Sequence, residues 1–238
     1  MIGRFLEISV YAPDVLASLE FYEQLGFSQA STGEAWSYPY AVVTDGRLGI
    51  GLHQRELQQS PMLSFVLPDL HAHLDALEGL GIEILDRRLG SDVFNEATFA
   101  TPGGQLVRLL EARTFSPSDR GPGETSRLGW FEDFVLPVAD VEADERFWER
   151  FGFVPAEESE EPFPHIGMTS DSLDIALVSM GALRHPALLF TDSAMPARIH
   201  ALADKGIEFA RPPGKLDPSQ HALLVAPEGT QLLLATAE

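Results

Sequence analysis

Cysteine is absent from all 238 residues. That excludes disulfides, thiolate metal ligands and cysteine nucleophiles, and it fits a reducing compartment. No apolar run approaches the roughly 18 residues that suggest a membrane-spanning helix. The stretch MIGRFLEISV carries no apolar signal region with a small-residue cleavage site, so the cytoplasm is the expected location. Cations are scarce: 16 Lys and Arg stand against 36 Asp and Glu, a net charge of −20. Such a field repels phosphate backbones, so nucleic acid is not an expected partner. It favours cationic small molecules or metal ions. Much of the excess sits in solvated runs such as EESEE at 157–161. Glycine-rich phosphate loops, nucleophile elbows and HExxH are all missing. What remains is an ordinary globular composition, 45% hydrophobic, enough to bury a core.

The sequence repeats itself. Glu7 to Phe27, EISVYAPDVLASLEFYEQLGF, returns as Asp133 to Phe153, DFVLPVADVEADERFWERFGF. Asp14 and Asp140, Phe21 and Phe147, and Gly26 and Gly152 are each 126 residues apart. A fixed offset of this kind marks duplicated architecture. Within the first copy, Leu6, Ile8 and Val10 alternate with Phe5, Glu7, Ser9 and Tyr11, which predicts a strand with two distinct faces. Asp14 can cap a helix whose stripe is Val15, Leu19, Tyr22 and Leu25, and Gly26 sits at its stop. The apolar strand face then packs on the helix, and Glu7 points into whatever the sheet encloses. Strands flank Asp45-Gly46, a hairpin signal. Gly49 and Gly51 share one face of the second of these, which suggests that something approaches closely there.

The pattern restarts at Met62, with Asp69 as cap, Leu70, Leu74, Leu77 and Leu80 as stripe, and strands around Pro102-Gly103-Gly104. Residues 113–127, RTFSPSDRGPGETSR, are polar and aperiodic and predict a linker between domains 1–112 and 128–238. The order then recurs, with Phe134, Leu136 and Val138 facing a helix and Phe131, Asp133 and Val135 opposite. The chain is thus four strand–helix–strands units. Trp130, Trp148 and Phe151 read as packing residues, and His71 and His73 as surface.

Asp14…Ser18-Leu19-Glu20-Phe21-Tyr22…Leu25-Gly26-Phe27, its echo Asp140…Phe147-Trp148…Phe151-Gly152-Phe153, and the turns Thr101-Pro102-Gly103-Gly104 and Ala226-Pro227-Glu228-Gly229 resemble the vicinal oxygen chelate superfamily. That superfamily includes glyoxalase I, bleomycin-resistance proteins and extradiol dioxygenases. The resemblance spans nearly everything except the linker. It implies an α+β fold of four βαβββ units, forming two modules with half-open β cups. In metal-dependent members, His, Gln or Glu on the first and last strands of the units hold a divalent ion. Counting from each cap and hairpin places those positions at Glu7, Met62, Asp133 and His185, and at Gly51, Arg108, Ala176 and Leu233. Consecutive units pairing would join Glu7 with Gly51, Met62 and Arg108; outer units pairing would join Glu7 with His185.

In neither pairing do more than two good ligands share a cup, and an arginine opposes metal binding by its charge. The expectation is therefore a glyoxalase/bleomycin-resistance-like protein that binds a small organic molecule in a cup without a catalytic metal, so that no cofactor is required. Glu7, Tyr11, Arg108, Asp133 and His185 are the candidate binding residues. The alternative is a metal-dependent lyase, isomerase or extradiol-type dioxygenase. It would use Fe, Mn, Ni or Zn at Glu7, His53 and His185, two histidines and a carboxylate. Two simpler roles are also read here: Glu7 pairing with Arg108, and His53 ending its strand at the cup rim. A third reading is that one module is a decayed copy serving only as a packing partner. Gly49 and Gly51 against the bulkier Ala176 and Val178 make it the second, with an occluded cup. The expected partner is a small molecule, with the chain a monomer or homodimer.

Overall fold

The computed structural model describes residues 2–32, 36–112, 126–214 and 216–237. The first unit is β1 (Arg4–Tyr11), α1 (Val15–Gln24), β2 (Ser28–Ala30), β3 (Tyr40–Thr44) and β4 (Gly49–His53). The second is β5 (Met62–Leu67), α2 (Leu70–Gly79), β6 (Ile84–Arg88), β7 (Glu96–Ala100) and β8 (Leu106–Glu111). The third is β9 (Trp130–Val138), α3 (Val141–Arg150), β10 (Val154–Ser159), β11 (His165–Thr169) and β12 (Asp174–Ser179). The fourth is β13 (Ala187–Asp192), α4 (Met195–Ala203), β14 (Ala222–Val225) and β15 (Gln231–Thr236). Among the described residues it is one strand short: after α4 the chain makes a single bridge, Ala210 to Leu223, around Pro212-Pro213. Proline has no N–H to extend a ladder, which accounts for the stop.

Local chemistry sets the helix starts. Asp14, Asp69 and Asp140 each accept the backbone N–H three residues on, at 3.0, 3.1 and 3.0 Å. Gly26, Gly81, Gly152 and Gly206 follow the helices with positive φ, where a side chain would be strained. α4 departs from the pattern. Its cap position is Ala194, with no side-chain cap bond. Asp192 instead accepts from Ala194 N at 2.7 Å and pairs with Arg198 at 2.8 Å.

Consecutive units pair, not outer ones. The first sheet runs β2-β3-β4-β1-β5-β8-β7-β6 and the second β10-β11-β12-β9-β13-β15-β14. Each is joined at its centre by antiparallel first strands, β1 with β5 and β9 with β13. Most of the predicted linker, 113–125, lies outside the described residues.

The helix-facing sides of both sheets contribute to one continuous apolar core, with Phe27 meeting Phe190 at 6.2 Å and Phe99 stacked on Phe151 at 6.0 Å. Each module also offers a turn to the other's helix. Ser18 and Tyr22 of α1 donate to Glu228, in the turn before β15, at 2.6 and 2.8 Å. Reciprocally, Gly103, in the turn before β8, lies so close to α3 that a Cβ there would sit 2.8 Å from Asp144. The expected alternation fails at one place in β1 and one in β9. Phe5 and Phe131 sit in the core, not on the cup side, because the register shifts between Phe5 and Glu7 and opposite Phe131 at Leu189/Phe190. A bulge of this kind turns a side chain to the other face.

Candidate functional site in the first cup

The four central strands of the first sheet aim one polar set into its cup. Register places Ser9 beside Gly51, Tyr11 beside His53, Glu7 beside Ser64 and Ser64 beside Arg108. Glu7, Ser9, His53, Ser64 and Arg108 are all essentially buried. His53 is fully enclosed, not exposed at the rim as its place at the strand end suggested. Of the two glycines on β4, Gly51 now has a reason. A Cβ on Gly51 would come within 2.2 Å of the Glu7 carboxylate, so the close approach is made by the chain's own side chain.

The hydrogen bonds assign themselves. Glu7 Oε1 accepts from Ser9 Oγ at 2.6 Å and lies 2.7 Å from His53 Nε2, and Glu7 Oε2 accepts from Tyr40 at 2.5 Å. A carboxylate only accepts, so Nε2 carries a proton. In the neutral ring Nδ1 then accepts from Tyr38, 2.9 Å away. Ser9 Oγ, having donated to Glu7, accepts from Arg108 Nη2 at 2.9 Å and from Ser64 Oγ at 2.8 Å. Ser64 Oγ accepts from Arg108 Nε at 3.1 Å. Arg108 Nη2 also stands 3.5 Å from His53 Nε2 and 3.8 Å from Glu7 Oε1. The first of these joins two donors and is a contact rather than a bond. The second is the expected Glu7–Arg108 ion pair.

Electrostatics follow from this packing. Burial raises the pKa of Glu7, but the hydrogen bond from His53, the Arg108 charge and the hydrogen bond from Ser9 outweigh it, holding the carboxyl below its ordinary value. Tyr40 is pushed far above the ordinary phenol range by burial and by the Glu7 charge it faces. Burial raises Tyr38 as well. The set Tyr40–Glu7–His53–Tyr38 is thus a continuous hydrogen-bonded path from an enclosed carboxylate to a half-buried phenol.

Aromatic rings cover the set. Trp36 lies 5.4 Å from Tyr38, 5.5 Å from His53 and 5.1 Å from Phe94. The Arg108 guanidinium is 5.3 Å from the Trp36 ring, and Arg55 is 5.8 Å from the same ring and 5.4 Å from Tyr38. Arg108 thus brings positive charge into the floor, and Arg55 stands at the mouth, paired with Glu96 at 3.4 Å. Trp36, Tyr38, Tyr40, Ser9 and Ser64 were not among the residues expected from sequence. The alternating aromatics of Trp36-Ser-Tyr38-Pro-Tyr40, entering a strand, were the available signal.

Other expected residues separate. Tyr11 is half-buried at the end of β1, beside His53 of β4, with its backbone N–H bound by Ser60 Oγ at 3.0 Å. Asp133 is buried in the second module and therefore does not join Glu7 and Arg108. Burial, then the charges of Glu132 and Asp174, push its pKa up to about 7. His185 is exposed, in a bend two residues before β13. Counting back from Asp192 as a helix cap misplaced it, because α4 is capped at Ala194. Glu7, His53 and His185 therefore do not converge. The second cup is filled by its own side chains, including Val135, Phe163, Ala176, Val178, Leu189 and Leu233.

The donor set of the first cup does not suit a divalent ion. Both oxygens of Glu7 and the Nε2 proton of His53 are committed to neighbours, and the third position holds a guanidinium. Among the described residues no three His, Asp or Glu side chains group as ligands.

No protein-family model matches the sequence, and no curated protein does. Solved structures do match. An extradiol ring-cleaving dioxygenase from B. fuscum superimposes with a TM-score of 0.64 at 15% identity, covering 99% of this chain and 72% of that one. The 2,3-dioxygenase LapB from Pseudomonas sp. KL28 gives 0.62 at 16%, covering 98% and 92%. Homoprotocatechuate 2,3-dioxygenase from Arthrobacter globiformis gives 0.60 at 17%, covering 99% and 80%. At such identities the likeness concerns the fold: this chain has the two-module fold seen in these dioxygenases.

Proposed function

We propose that the first cup binds a small organic molecule and that its chemistry does not depend on a bound metal ion. The observation that carries this reading is the asymmetry between duplicated cups. One is packed with Leu, Val and Phe, and the other keeps a glycine-lined polar floor under an aromatic cover. A recess with apolar walls and a few fixed polar groups suits recognition of a small ligand. The preformed network keeps those groups in place before the ligand arrives.

The test is a thermal-shift screen of small aromatic and polar compounds, with tryptophan emission followed for each compound that raises Tm. Ligands of the first cup change the emission of the wild type, and that change disappears in Trp36→Phe. Stabilising compounds that leave the Trp36 signal untouched, or a broad screen that yields none, would refute the reading.

A further inference from the structure

The polar floor has one group left over. Arg108 is 2% exposed, and its Nε and Nη2 are engaged by Ser64 and Ser9. Its Nη1 is buried with no hydrogen-bond partner among the described residues. A buried donor left unmade costs about 1–3 kcal/mol, so an unpartnered guanidinium nitrogen calls for an acceptor. Glu7 does not supply it. That carboxylate stands 3.8 Å from Nη2, beyond hydrogen-bond reach, and its oxygens already serve Ser9, His53 and Tyr40.

The position of the guanidinium matters as much as its spare proton. Glu7 Oε1, His53 Nε2 and Arg108 Nη2 form a triangle with sides of 2.7, 3.5 and 3.8 Å. A carboxylate and an imidazole in contact, with a third side chain closing on both, is the layout of a metal-ligand triad. Here the third member is itself a cation, which repels an ion. We infer that Arg108 is the cup's fixed positive charge, standing where a metal-holding side chain would complete a triad, and that it receives an anionic oxygen, a carboxylate or phenolate, of an aromatic ligand. The Trp36 ring 5.3 Å from the guanidinium and the neighbouring Phe94 supply the surface for the aromatic body. Arg55, beside Trp36 and Tyr38 at the mouth, is paired with Glu96 at 3.4 Å, so the unbalanced donor is that of Arg108. The ligand half of this inference rests on the first cup being the binding site. The cation half does not.

Two titrations test it. The first compares benzoate, benzamide and benzylamine, probes of nearly one shape and three charges, by calorimetry on the full chain. Benzoate binds about tenfold tighter than the others, and the preference vanishes in Arg108→Met. Equal or tighter binding of benzylamine or benzamide overturns the inference while leaving the first cup a ligand site. Binding of no ligand at all in that cup refutes the functional reading instead. The second titration uses Co²⁺, read by visible absorption. Arg108→His, with Glu7 and His53 unchanged, gains one ion per chain, and adding Glu7→Gln removes it. A folded Arg108→His chain that takes up no Co²⁺ overturns the inference. So does stoichiometric, Glu7-dependent uptake by the wild type. Should the Arg108 variants fail to fold, the wild-type probe ranking and wild-type Co²⁺ titration decide.

Discussion

Replacing Gly51 by alanine adds one methyl group at the most crowded point of the first cup. The new Cβ would lie 2.2 Å from Cδ and from both oxygens of Glu7, so the carboxylate has to leave its place. Leaving breaks its bonds with Ser9, His53 and Tyr40 and moves it relative to Arg108. Hydrogen bonds to a charged group contribute about 1.5–3 kcal/mol each. Relaxation recovers part of this, while disrupting a buried pair costs roughly 3–5 kcal/mol. The expected loss is therefore about 3–5 kcal/mol, measured by urea unfolding followed by circular dichroism. The decisive control is the same substitution in a Glu7→Ala background, where the methyl group enters emptied space and should cost under about 1 kcal/mol. The duplicate supplies a natural precedent: Ala176, the counterpart of Gly51, carries its Cβ in the apolar cluster of the second cup. A Gly51→Ala chain as stable as wild type would refute the reasoning. So would a cost that persists unchanged without Glu7.

Asp133 should make the protein less stable as pH rises. Its folded pKa of about 7 exceeds its unfolded value, so the folded state binds the extra proton and stability falls between roughly pH 4 and 7. Asp133→Asn, which imitates the protonated form, is expected to be more stable than wild type at pH 8 by up to about 4 kcal/mol, with the gap closing towards pH 4 in denaturation curves taken across that range. Leu233→Ala, in the filled second cup, should cost about 2–5 kcal/mol in urea unfolding without altering ligand binding in the first. A cost near zero would mean that the second cup is not packed as described.

The first cup was partly legible in advance. Glu7 and Arg108 were picked out because alternation placed them on the enclosed side of their strands, and their ion pair was expected on the ground that a buried charge needs a partner. Gly51 announced a close approach but not what approached. The covering aromatics were missed because their alternation at Trp36, Tyr38 and Tyr40 shows a shared face but not that Trp36 and Tyr38, outside any strand, fold over β4. His185 was misplaced by a count that assumed every first strand ends in a helix-capping aspartate.

The sequence by itself determined the four units, the starts and stops of most helices and the likeness between halves. All of these rest on short-range chemistry: a capping carboxylate, a positive-φ glycine, a period of two or of 3.6 residues. Tertiary structure decided which units pair, and hence that Glu7 meets Arg108 while His185 stays outside in the other module. It also decided which side chains the bulges beside Phe5 and Phe131 turn into the core. The reason is physical. A strand's own pattern fixes which of its residues share a face, but the partner strand and its register are set by contacts between residues 50 or 100 positions apart, and a one-residue shift exchanges the two faces.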